Sequence, residues 1–111
     1  MKLSPRLQTV ADAVGKCKIL ADVGTDHGYI PVFMLENDLC ERAYASDIRE
    51  QPLARASEII LECGLSGRAK TFLSDGIVNI PEDYDALVIA GMAERLSFPY
   101  LRRSDRAKMR N

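Results

Sequence analysis

The sequence predicts an α/β fold built on a parallel sheet, and three observations carry that prediction. Short apolar runs alternate along the chain with segments of helical periodicity. Most of these runs end at an acid or a glycine. A glycine-bearing loop, "ADVGTDHGYIP" at residues 21–31, closes the first run and passes straight into further apolar residues. Parallel neighbours need a crossover connection, usually a helix, and the alternation supplies one each time.

The first element is a helix over "LSPRLQTVADAVG", with Ser4 as N-cap and Pro5 in the first turn, where its missing N–H costs nothing. Leu7, Val10, Ala11 and Val14 share one face, and Gly15 stops the helix. Residues 17–23, "CKILADV", have the length of a strand. Residues 30–35 are almost continuously apolar and read as a helix buried beside a sheet, with Pro31 tolerable only in its first turn. Residues 42–48 form the second predicted strand. The stretch "QPLARASEIILECG" follows as a helix, with Leu53, Ala56, Ile60 and Cys63 at helical spacing and Gly64 as the stop. Residues 69–73 and 85–90 are the third and fourth predicted strands, the last ending at Gly91.

A chain of 111 residues is expected to form one domain. Its formal net charge of -1 provides no global basic field of the kind that draws a whole domain to nucleic acid. Cys17, Cys40 and Cys63 are odd in number and contain no CxxC pair, so reduced thiols are expected and no metal site. The N-terminus carries early charge and a proline instead of the apolar core of a signal peptide. No apolar run approaches the roughly 20 residues of a membrane span, so no membrane partner is expected. Neither internal repeats nor low-complexity segments occur.

In open parallel sheets a ligand binds beyond the carboxyl ends of the strands, where strand order reverses, and the first strand normally lies at that point. Glycines there let a ligand approach the backbone. A dinucleotide pattern would need glycines two and five places after Gly24, where Asp26 and Tyr29 stand. A phosphate loop would need a lysine that does not follow. What remains is Asp22-x-Gly24-x-Asp26-x-Gly28, which resembles the acidic-Gly-x-Gly-x-Gly loop of S-adenosylmethionine-dependent methyltransferases, with Asp26 at the middle glycine. That cofactor lacks phosphate and carries a sulfonium and an ammonium, cations that carboxylates attract. Downstream, Asp47 ends the second strand where an acid can hold ribose hydroxyls. Asp75-Gly76 ends the third, where a carboxylate can accept from an adenine amino group, and Gly91 ends the fourth, where the methyl acceptor would enter.

Taken together the motifs resemble those of the bacterial tRNA (adenine-22-N1)-methyltransferases. "LSPRLQTVA" corresponds to that family's "LSxRLxxVA" opening and "ADVGTDHGYIP" to its "ADIGSDHAYLP"-like loop. "ASDIREQPLARA", "LSDGI" and "IAGM" correspond to further family segments, so that the likeness spans roughly residues 3–92. It implies the N-terminal part of a Rossmann-like class I methyltransferase sheet, about four parallel strands with flanking helices. S-adenosylmethionine is the cofactor it implies, tRNA the partner and the cytoplasm the location. Cofactor contacts are expected from Asp22, Gly24, Thr25, Asp26, His27 and Gly28, from Asp47 with Ile48, from Asp75 with Gly76, and from Ala90 with Gly91.

Adenine N1 already has a free lone pair, so the enzyme's work is positioning and charge arrangement. Asp26 is the candidate catalytic residue, stabilising positive charge on the methylated ring or taking a proton from its amino group; the alternative is that it caps the next helix. His27 is a candidate for contact with the base or the cofactor carboxylate, or is structural. Asp22 is expected to bind loop N–H groups. Arg6 and Tyr29 are candidate substrate contacts, Tyr29 otherwise packing on the first helix. After Met92 the family pattern would continue with a second glycine, an apolar helix and more strands, whereas here "AERLSFPYLRRSDRAKMRN" follows. The expectation is therefore a shortened chain: residues 1–92 a partial cofactor-binding domain, 93–111 a divergent, disordered basic tail. Its fourth strand would keep an uncovered sheet edge through which copies self-associate. Two other functions stay open: a non-catalytic cofactor-binding remnant, and a methyltransferase acting on another substrate.

Overall fold

The computed structural model describes residues 2–89 together with the backbone of 92–94. In chain order the elements are α1 (Pro5–Val14), β1 (Ile19–Val23), α2 (Tyr29–Glu36), β2 (Arg42–Asp47), α3 (Glu50–Glu62), β3 (Ala69–Leu73), β4 (Ala86–Ile89) and β5 (Met92–Glu94). The Ser4 hydroxyl accepts from the Leu7 N–H at 3.3 Å, and Pro5 occupies the first turn, as the sequence predicts. Gly15, at φ 67°, ends α1 and donates its N–H to the Ala11 carbonyl. In α2, Ile30, Pro31, Val32, Met34 and Leu35 are all buried, which an apolar helix with little polar face requires. In α3 the buried stripe is Ala56 and Ile60.

The strands lie in the order β3-β2-β1-β4-β5. β1 pairs in parallel with β2 on one side and β4 on the other, and β3 pairs in parallel with β2. All five residues of β1 are buried, the pattern of a central strand covered on both faces. β1 begins at Ile19 rather than at 17, because the Cys17 N–H donates to the Leu39 carbonyl and the Lys18 N–H to the Asp85 carboxylate. The fifth strand corrects an expectation. β5 runs antiparallel to β4, with Leu87 opposite Glu94 and Ile89 opposite Met92, so the edge of β4 expected to be uncovered is paired. It also crosses the boundary expected after residue 92. The candidate residues Ala90 and Gly91 and the basic tail from 95 to 111 lie outside the described residues.

Successive strand residues point to opposite faces, and two apolar clusters follow from that. Leu20, Ala43, Ala45, Ala86 and Val88 pack with Val10, Val14, Val32, Met34, Leu35 and Ile60 of the helices. Ile19, Ala21, Val23, Tyr44 and Leu87 pack instead with Ile80 and Tyr84 from the β3–β4 connection. All three cysteines are free thiols, Cys40 buried and Cys17 and Cys63 half-buried.

Candidate functional site

The chain leaves β1 for β2 and β3 on one side and returns to β4 on the other, so strand order reverses at the carboxyl end of β1. The loop begins there. Gly24, at φ 74°, and Thr25 both donate their N–H groups to the Ser46 carbonyl at the end of β2, at 2.9 and 2.8 Å. Asp26 adopts φ 58°, a left-handed conformation that aspartate tolerates better than most side chains, and its N–H donates to Asp47 Oδ2 at 3.3 Å. The loop is therefore hydrogen-bonded to the tip of the neighbouring strand.

Asp22 and Asp47 are 2% and 3% exposed. Burial pushes the Asp22 carboxyl up to about 7; the Thr25 hydroxyl, donating to its Oδ2 at 2.7 Å, acts in the opposite direction, and the Asp47 charge adds to the rise. Its partner is thus a side-chain hydroxyl and not the loop N–H groups expected. Asp47 accepts the Arg49 N–H on Oδ1 at 3.0 Å as well as the Asp26 N–H on Oδ2, and the Arg49 Nε lies 3.5 Å from Oδ1.

A cavity of about 400 Å3 opens above these two acids. The structure brings Asp22, Gly24, Thr25, Asp26, His27, Asp47 and Ile48 to its wall, together with the substrate candidates Arg6 and Tyr29. Three expected contacts do not join them. Gly28 is buried against α3 and does not line the cavity: a Cβ at this position would stand 2.9 Å from the Cβ of Ala56, so the glycine lets loop and helix approach closely. Asp75 and Gly76 are exposed beyond β3, the strand outside β2, and do not line the cavity. Sequence reasoning passed over Leu7, Ile30 and Arg49, which also line it. Arg49 follows the strand-end acid by two residues, and that spacing was the available signal.

A second cavity, of about 590 Å3, lies alongside and is lined by Arg49, Glu50, Gln51, Pro52 and Arg55; Asp26 borders both. The N-cap of α2 is Gly28, with no side-chain cap, so Asp26 does not serve as the cap that the alternative reading assigns to it. Its carboxylate instead faces His27, whose Nδ1 lies 3.2 Å from Asp26 Oδ2. The His27 ring stacks on Tyr29, with centroids 5.2 Å apart and planes 12° from parallel. Tyr29 is thus engaged with its neighbour in the loop. Among the described residues no cluster of three His, Cys, Asp or Glu side chains is placed to hold a metal ion, and no helix is long and apolar enough to cross a membrane.

A parallel sheet with acids and glycines at the end of its first strands admits several nucleoside cofactors, and comparison with known proteins decides among families. The sequence matches the methyltransferase domain family over residues 3–111. The chain belongs to that family. This methyltransferase domain is 35% identical over 97 residues to the tRNA (adenine(22)-N(1))-methyltransferase of Bacillus subtilis strain 168, a match covering 86% of the chain and 41% of that protein. It is similar in structure to M. capricolum TrmK in complex with S-adenosyl-homocysteine, with TM-score 0.75 and 34% identity over 80% of this chain and 41% of that one. A protein of the NADB-Rossmann superfamily from Streptococcus agalactiae is comparably close, with TM-score 0.76 and 35% identity over 80% of this chain and 40% of that one. The methyltransferase domain described here therefore spans about two fifths of the length of these relatives. The resemblance read from the opening helix and the glycine loop is borne out, as is the Rossmann-like parallel sheet.

Proposed function

We propose that this methyltransferase domain holds S-adenosylmethionine at the carboxyl edge of β1 and β2 and serves transfer of a methyl group to N1 of an adenine in tRNA. One observation carries the reading: two buried carboxylates, Asp22 and Asp47, meet the glycine loop at a single cavity where strand order reverses. The residues present fit the cofactor. The cavity volume of about 400 Å3 lies within the range of small-molecule sites, polar at its floor and apolar at the exposed Ile48. When bound, S-adenosylmethionine supplies a methyl group on a positively charged sulfur. Asp47, whose two accepted N–H bonds leave lone pairs unused, holds the ribose hydroxyls. Asp47, joined by Asp22 in its ionised form, gives the floor a negative field that favours a cation, and Arg6 offers a partner for the cofactor carboxylate. We assign no cofactor contact to Gly28, Asp75 or Gly76.

Asp26, on the border of the two cavities, is the group we place against the base, where it stabilises positive charge on the methylated ring. N1 lies on the Watson–Crick edge, so the base must be unpaired before it enters. On this reading the cytoplasm is where the protein works. Calorimetry of the chain with S-adenosylmethionine tests the first step, and absence of binding overturns the proposal. A labelled-methyl assay on unmodified tRNA tests the second, with labelling expected to vanish when the target adenine is replaced. Binding without transfer would assign these residues to holding the cofactor alone.

A further inference from the structure

We infer that Arg55, on the far side of the loop in α3, is a positioning residue that acts through His27 to aim the Asp26 carboxylate. The Arg55 Nη1 lies 3.1 Å from His27 Nε2. A guanidinium has only N–H donors and no acceptor, so Nε2 must offer its lone pair. The single proton of the neutral imidazole then sits on Nδ1, where it donates to Asp26 Oδ2 at 3.2 Å. Each donor in the series Arg55 to His27 to Asp26 points the same way.

The placement is enforced by the backbone on both sides. Gly28 meets Ala56 so closely that an added Cβ would sit 2.9 Å from its Cβ, and Ala56 directly follows Arg55. The loop and Arg55 therefore keep a fixed separation. The His27 ring is stacked on Tyr29, and the Asp26 backbone is tied by its N–H to Asp47. With Arg55 absent, Asp26 alone would favour the Nδ1–H form, and the balance would shift toward the Nε2–H form that predominates in free imidazole side chains. An acceptor nitrogen would then face the carboxylate, and two acceptors at that distance repel. Arg55 thus adds to Asp26 in fixing which ring nitrogen carries the proton. It also withdraws Nε2 from proton transfer, leaving the exposed Asp26 as the acidic group at the border of the cavities.

The inference rests on the assignment of Asp26 to the base, but its test does not. His27 is the single histidine, so imidazole 15N labelling gives one set of ring resonances. Long-range proton–nitrogen spectra of the chain at a pH above the ordinary imidazole titration, without cofactor or RNA, report the tautomer directly. The expected result is a dominant Nδ1–H form in the wild-type chain. It should be largely retained in Arg55→Lys, whose ammonium also only donates, and displaced about ten-fold or more toward Nε2–H in Arg55→Met. A dominant Nε2–H form in the wild type, or an unchanged ratio in Arg55→Met, overturns the inference. Failure of the Asp26 assignment would register elsewhere, as methyl transfer that survives Asp26→Asn while the His27 tautomer stays as described.

Discussion

Among single residues, the two buried acids do different work and predict different measurements. Asp47 accepts one backbone N–H on each oxygen, from Asp26 and Arg49, and keeps acceptor capacity toward the cavity it lines. Asp47→Asn removes the charge while keeping one acceptor, so affinity for S-adenosylmethionine should fall at least ten-fold by calorimetry, since a hydrogen bond to a charged group is worth about 1.5–3 kcal/mol. Unchanged affinity would remove Asp47 from the ribose. Asp22 is instead a stability statement. Its carboxyl is raised by burial from 3.8 to about 7, so between those values the folded chain holds a proton that the unfolded chain has lost. The stability it contributes is complete below about pH 4 and is lost as pH rises through about 7. At about 1.4 kcal/mol per pH unit the effect is on the order of 4 kcal/mol. Urea unfolding of Asp22→Asn should be nearly flat between pH 4 and 7 where the wild type declines, and parallel curves would contradict this. That Asp22 would be buried was readable from its place inside an apolar run, but its bond to Thr25 was not.

At the scale of elements, two glycines with similar backbones separate conformation from packing. Gly28 and Gly64 have φ of 74° and 70°, but only Gly28 has a neighbour within reach of a Cβ. Gly64→Ala should cost about 1–2 kcal/mol for the left-handed conformation alone. Gly28→Ala adds about 1–3 kcal/mol for overpacking against Ala56, so its urea midpoint should fall clearly further. Equal losses would mean that α3 yields, and that the loop and helix are not rigidly spaced. The helices and first four strands were legible in the sequence because each announces itself locally, α1 by Ser4 and Pro5, α2 by its apolar run, α3 by its stripe. Gly28 was read as a cofactor glycine for the same local reason. Nothing near it in sequence reveals that Ala56 occupies the space a side chain would need.

For the molecule as a whole, the loop, β2 and α3 form one connected unit, so filling the cavity should stabilise the entire fold. A ligand at 100 times its Kd adds about 2.7 kcal/mol to the folded state. S-adenosylhomocysteine at that concentration should therefore raise the melting temperature of the chain by roughly 10 °C, readable by circular dichroism. No shift would count against the cavity as the cofactor site. The sheet itself also departs from expectation at its margin: β5 pairs antiparallel with β4, so the edge of β4 is covered.

By itself the sequence determined the kinds of elements, their order and the loop that carries the acids, because helical periodicity, strand length and glycine placement are properties of neighbouring residues. The tertiary structure alone decided that Asp47 holds the Asp26 backbone, that Asp75 stands one strand beyond the cavity, and that Arg55 reaches His27 across 28 positions of chain. Those contacts depend on how closely α3 docks on the loop and which strands become neighbours, and both are set by packing between segments that carry no local sign of one another.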